Sequence, residues 1–181
     1  LNSKFINTTT YGTNTPNKQL GTFVSDAASL YLTDVEIDKF HTGLFTKDND
    51  GVYIRDCQVK NNLDGLLLNG GSILICNTVF NGNEFSSSLY GTGSGQYKDN
   101  SYSVMKGGVS VQNSGVQYFR NNTFSAYCWG VNSVGSTLHM RDEKRATNNI
   151  EYGRNNFLGN TYNYGVWGCD TYDIFLELAA Q

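Results

Sequence analysis

The chain has 181 residues, with 13 Lys+Arg against 16 Asp+Glu, a net charge of −3 and a pI near 5.3. This length suits one domain with a continuous core, and the charge excludes the basic footprint of a nucleic-acid binder and a polybasic membrane anchor. No run of 18 apolar residues is present, so no segment reads as a membrane span.

One proline, Pro16, stands against 20 glycines, and Asn, Thr, Ser and Tyr are abundant. Strong helix formers are few and no stretch is a convincing amphipathic helix, so the chain reads as all-β. Cys57, Cys76, Cys128 and Cys169 show neither a C-x-x-C pair nor a zinc-type His spacing. Buried free thiols suit strands; two disulfides are the alternative for a secreted protein.

In chain order, the opening Leu1-Asn2-Ser3-Lys4 lacks a signal-peptide pattern. Residues 8–20, with Thr8, Thr9, Thr10 and Pro16, read as a polar loop. Residues 30–37 form an apolar run that leads to Gly43-Leu44-Phe45-Thr46. The same phrase returns at 52–59 with Gly65-Leu66-Leu67-Leu68, and again from Ile73 to Phe80. Residues 84–103, rich in Ser and Gly, read as a second loop. The pattern resumes at Gly108-Val109 and Gly130-Val131, with Val116 set opposite Leu138. Residues 141–149 are a charged third loop, and Gly165-Val166 with Ile174 close the series.

The step from Gly43 to Gly65, and from Gly108 to Gly130, is 22 residues. A period of this size, with short strands and no helix, indicates a β-solenoid. A propeller blade needs about 40 residues, and a sandwich needs longer alternating strands. The aliphatic residue after each glycine (Leu44, Leu66, Val109, Val131, Val166) is placed inside. Asn77, Asn121, Asn122 and Asn155 are placed at bends, where Asn tolerates left-handed angles and can ladder between rungs.

This glycine–aliphatic phrase, followed by a strand ending near Asn-x-Phe, resembles the single-stranded right-handed parallel β-helix repeats of pectate-lyase-like proteins and phage tailspikes. The resemblance runs from about Gly21 to Leu178. Residues 1–7 align with 75–81, Phe5 falling on Val79, so residues 1–181 are expected to be one β-helix domain cut from a longer solenoid. The resemblance implies a surface polysaccharide as partner and a homotrimeric assembly. It implies a virion, secreted or cell-surface location, and no cofactor. Hydrolase, lyase and pure binding or structural roles all stay open, because the short signatures of polygalacturonases, pectate lyases and mannuronan epimerases are absent.

Glycoside cleavage needs two carboxylates about 5–10 Å apart, and adjacent rungs lie about 4.8 Å apart. Asp48, Asp50 and Asp64 are the catalytic candidates, although Asp48-Asn49-Asp50-Gly51 is also an ordinary turn sequence. His41 is a possible acid or base; His139 has no assigned role. Aromatic rings pack on the C–H faces of sugars, which singles out Tyr127, Trp129, Tyr162, Tyr164 and Trp167 for substrate binding. No metal site is expected: Asp48 and Asp50 lack a full EF-type loop.

Overall fold

The computed structural model describes residues 3–6, 20–91, 93–126, 129–139, 143–146, 149–152, 155–158, 162–167 and 171–172. Three parallel sheets form the faces of a solenoid. Sheet A stacks Ser3–Ile6, Val35–Asp38, Gln58–Lys60, Val79–Asn81, Ser101–Val104, Thr123–Ala126 and Asn156–Phe157. Sheet B stacks Leu20–Ser25, Thr42–Lys47, Asp64–Asn69, Phe85–Tyr90, Gly107–Gln112, Trp129–Val134 and Tyr162–Trp167. Sheet C stacks Leu30–Thr33, Gly51–Arg55, Ser72–Cys76, Gly95–Lys98, Val116–Arg120, Thr137–His139 and Thr171–Tyr172. The chain runs B, C, A and then steps to the next rung. Every pairing within these three sheets is parallel.

Strands are short here because the chain turns at each corner, and the B–C and C–A corners use a residue with positive φ. At the B–C corner it is Asp26, Asp48, Gly70, Gly91, Asn113 or Gly135; at the C–A corner it is Asp34, Asp56, Asn77, Asp99 or Asn121. Asp, Asn and Gly are the residues that reach the left-handed region at least cost. Most of these residues turn their N–H to the next rung, as Asp48 does to the Asn69 carbonyl at 3.1 Å and Asn113 to that of Val134 at 2.8 Å.

The position after the C–A turn carries the expected ladder. The Asn100 and Asn122 side chains are buried and accept, through Oδ1, the backbone N–H of Thr78 (3.0 Å) and of Asn100 (3.1 Å). A second ladder links Phe40, Asn62 and Asn83 at the A–B corner. Buried backbone groups that no sheet can pair are satisfied this way.

The core is read column by column. Leu44, Leu66, Val109 and Val131 share one inward column, as expected, with Ser87 between the leucines and valines. Phe80, Tyr102 and Phe124 stack in sheet A with centroids 4.9 and 4.6 Å apart, and Tyr97 stacks on Phe119 at 4.5 Å in sheet C. Small inward residues, Ser87 on sheet B and Gly95 on sheet C, share the rung of Tyr97 and Tyr102, so bulk is matched by space within one rung. The Tyr97 hydroxyl is buried without a hydrogen-bond partner, and burial holds it well above the usual phenol range. Tyr97→Phe removes that hydroxyl while keeping the stack. It should raise stability by about 1 kcal/mol, read as a higher melting temperature; a fall would show that the hydroxyl is bonded.

Several sequence expectations need correction. Residues 84–103 are not a loop but most of a regular rung, with strands in all three sheets. Leu138 pairs with Gln117, and Val116 with Thr137, one residue from the expected register. Gly165 pairs with Asn132 rather than sitting over Gly130, and Val166 pairs with Ser133. Phe5 shares a column with Ile37, Val59 and Phe80, not with Val79. A one-residue slip exchanges the inner and outer faces, so the corrections at Leu138 and Phe5 move side chains between core and solvent, while the two-residue shift at Gly165 keeps the face. The insertion expected at 141–149 is an antiparallel hairpin of Glu143–Ala146 and Asn149–Tyr152. Residues 8–19 lie outside the described residues.

Candidate functional site

The three acids are not brought together. Asp48 is the exposed left-handed residue of the B–C corner, 3.7 Å from Lys47 Nζ, and Asp50 is exposed on the same corner. Asp64 opens the next strand of sheet B, paired with Thr42. Six residues of strand, about 20 Å at about 3.3 Å each, separate Thr42 from Asp48, well beyond the spacing of a glycosidase pair. The other occupants of the Asp48 column are Asp26, Gly70, Gly91, Asn113 and Gly135, which share a backbone conformation, and of these only Asp26 carries a carboxylate.

Asp64 instead belongs to a ridge where the A–B corner enters sheet B. One column there runs Thr42, Asp64, Phe85, Gly107, Trp129 and Tyr162. The residues just before it add His41, Glu84 and Lys106. Four successive rungs therefore offer His, Asp, Glu and Lys, and two aromatic rings sit among them. Lys106 Nζ pairs with Glu84 Oε1 and lies 5.8 Å from the Phe85 ring centroid. The Phe85 and Trp129 centroids are 6.2 Å apart although a whole rung lies between them. Gly107 explains this: a Cβ there would fall on the Trp129 indole, so the missing side chain is the bed on which that ring lies.

Asp64 is half-buried, and burial raises its carboxyl above the usual range while the charge of His41 partly offsets this. The folded pKa thus exceeds the unfolded one, so stability is full below the unfolded value of about 3.9 and falls as pH rises through the folded one. Asp64→Asn should flatten this fall and leave the protein relatively more stable at neutral pH, measured by denaturant titration across pH 3–8. An unchanged profile would show that Asp64 is solvated like an ordinary surface acid.

Of the expected aromatic residues, only Trp129 has a described side chain, and it is half-buried on the ridge. Tyr162 takes the next register position after Trp129; Tyr164 pairs with Val131 and Trp167 with Val134. Tyr127 lies outside the described residues. Glu84, Phe85 and Lys106 escaped the sequence reading, the first two because they fall in the stretch read as a loop. His139 stacks on Tyr118 at 4.7 Å, on sheet C. Cys57 is a buried and Cys76 a half-buried free thiol, each held above the usual thiol range by burial; Cys128 and Cys169 lie outside the described residues. Among the described residues no group of three or more His, Cys, Asp or Glu is placed to hold a metal ion, and no helix is long and apolar enough to cross a membrane.

A family model described as right handed beta helix region matches residues 2–124, more than half of the chain. Neither a curated protein nor a solved structure gave a significant match.

Proposed function

The chain belongs to the right-handed β-helix family, and from that premise we propose that the ridge of Asp64, Glu84, Phe85, Lys106 and Trp129 recognises a surface polysaccharide. One observation carries this reading: the Trp129 indole lies over Gly107 beside Phe85, giving an aromatic platform flanked by charged groups on adjacent rungs. An aromatic platform packs on the C–H face of a sugar, while carboxylate and ammonium groups beside it bond its hydroxyls. Successive rungs repeat the offer along the solenoid axis, which suits a linear chain. The tailspike resemblance supports a place on a virion or cell surface, with a homotrimer as the assembly that light scattering should find. Trp129→Ala should weaken binding to the cognate capsular polysaccharide at least about tenfold, or about 1.4 kcal/mol, by calorimetry against a panel. Undiminished binding would remove the ridge from the reading.

A second reading, cleavage on the same ridge, is favoured by one pair. Asp64 has a carboxyl that burial biases toward the protonated form. Glu84 lies one rung away with its carboxylate neutralised by Lys106. Two carboxyls in such different surroundings are the arrangement that a general acid and its anionic partner require. Asp64→Asn should then abolish reducing-sugar release and keep binding. Binding without release by the unaltered protein leaves the non-catalytic, adhesin-like role.

A further inference from the structure

We infer that Asn69 and Asn81 are sites of spontaneous backbone modification, held shut by the folded rungs and released when a corner opens. Among the asparagines of the chain only these two are followed by glycine, in Asn69-Gly70 and Asn81-Gly82. The reaction needs no partner but water. The backbone nitrogen of the glycine attacks the side-chain amide carbon of the asparagine. The new C–N bond closes a succinimide ring, the glycine nitrogen gives up its proton, and the amide leaves as ammonia. Water then opens the ring at one of its two carbonyls, giving Asp or isoaspartate. Glycine in second place makes the attack easiest, because it has no side chain in the way and the freest backbone.

Both pairs sit at corners of the solenoid. Asn69 ends a strand of sheet B and Asn81 ends a strand of sheet A. Gly70 and Gly82 supply the positive φ that turns the chain, 76° and 67°. The peptide group between each Asn and Gly is bonded on both sides. The Asn69 carbonyl accepts from Asp48 N in the rung before at 3.1 Å, and Gly70 N donates to the Tyr90 carbonyl in the rung after at 2.9 Å. The Asn81 carbonyl accepts from Asn61 N at 3.0 Å, and Gly82 N donates to the Ser103 carbonyl at 2.9 Å. This group is planar, so bringing the glycine nitrogen onto the side-chain carbon rotates the carbonyl and the N–H together. That rotation breaks the bonds to two neighbouring rungs at once, and the reaction waits for local opening. Solvent is no barrier: Asn81 is exposed, and Asn69 is half-buried on the outer face of sheet B.

The fold does not require asparagine at these places. Asn69 shares its column with Tyr90 and Val134, which precede the corner glycines Gly91 and Gly135. Asn81 shares its column with Lys60 and Ser103. Elsewhere the corner asparagine is itself the left-handed residue, and Asn77, Asn113 and Asn121 are followed by Thr78, Ser114 and Asn122. Isoaspartate puts an extra carbon into the main chain between the asparagine Cα and the glycine nitrogen. The carbonyl and N–H then no longer match the rungs on either side. A chain modified while open cannot rebuild the corner, so unfolding becomes irreversible. This holds whatever the ridge binds.

The test holds the full chain at mildly alkaline pH, folded in one sample and unfolded in guanidinium chloride in another. Peptide mass spectrometry follows the conversion of amide to acid at each asparagine. In guanidinium chloride positions 69 and 81 should convert before every other asparagine. In the folded sample both should convert at least about tenfold more slowly, because only the open fraction reacts. After long incubation in guanidinium chloride and dilution, the parent should recover less folded protein than Asn69→Gln/Asn81→Gln. Glutamine keeps the amide but must close a larger ring, which is far slower. Both positions face outward, and matching thermal melts of fresh protein verify that the double variant folds. Less than about a tenfold difference between folded and unfolded rates at both sites would show that the rungs do not guard them. Faster conversion at another asparagine of the unfolded chain, or equal recovery of parent and double variant, would also overturn the inference.

Discussion

Gly43→Ala is expected to cost about 3 kcal/mol of folding stability, although it adds a single methyl. Sheet B repeats Gly21, Gly43, Gly65, Ser86, Gly108 and Gly130 at one position, and the register pairs the residues on either side while passing over it. The strand bends there, and the carbonyl of the next rung turns toward the missing side chain. A Cβ on Gly43 would stand 2.6 Å from the Gly65 carbonyl oxygen and 2.8 Å from Ile37 Cγ2. Neither can yield easily, because one is backbone and the other belongs to a buried residue. Ser86 is tolerated in this column because its hydroxyl donates to the Gly108 carbonyl, which an alanine methyl cannot do. Ser86→Gly, which restores the column's common residue, should change stability by less than about 1 kcal/mol. Equilibrium unfolding in urea decides between them. A Gly43→Ala variant as stable as the parent would mean that the rungs do not approach as closely as described.

Asn122→Ala should be of similar size, about 3 kcal/mol, for an electrostatic reason rather than a steric one. The Asn122 side chain is fully buried. Its Oδ1 accepts from Asn100 N at 3.1 Å and Asn100 Nδ2 at 3.0 Å, and its Nδ2 donates to the Tyr97 carbonyl at 2.8 Å and Asn155 Oδ1 at 2.9 Å. Truncation strands a backbone N–H and a backbone carbonyl where water cannot replace the partner. Its neighbour Asn121 is exposed and left-handed, with φ 50°. Asn121→Gly suits that conformation and should shift stability by well under about 1 kcal/mol. Equal effects at 121 and 122 in a thermal melt would contradict the ladder.

The glycine-to-glycine steps made the architecture readable from sequence, since Gly43, Gly65, Gly108 and Gly130 do share a column. What blurred it was unequal rung length. The ladder spacing is 21 residues from Asn62 to Asn83, 22 from Asn100 to Asn122 and 33 from Asn122 to Asn155, where the hairpin intervenes. A fixed step of 22 therefore misplaces Leu138 by one residue, and matching Gly165 to Gly130 misses the true pairing by two. The rung at 85–104 was hidden for a different reason: Ser86 replaces the glycine, and small inward Ser87 and Gly95 mimic a loop although the same rung carries the bulk of Tyr97 and Tyr102. That misreading also hid Glu84 and Phe85, two of the five ridge residues. Asp64 and Trp129 were legible one at a time. Their sharing of a column, and the part played by Gly107 between them, depends on register and on a side chain that is absent.

The ridge is tested most directly through its own indole. The chain contains two tryptophans, Trp129 and Trp167, so Trp167→Phe leaves Trp129 as the sole reporter. Titration of that variant with a panel of surface polysaccharides, followed by tryptophan emission and calorimetry together, should give a saturable change in emission that parallels the binding heat. A polysaccharide that binds by calorimetry and leaves Trp129 emission unchanged, or a panel in which nothing binds, would contradict the account.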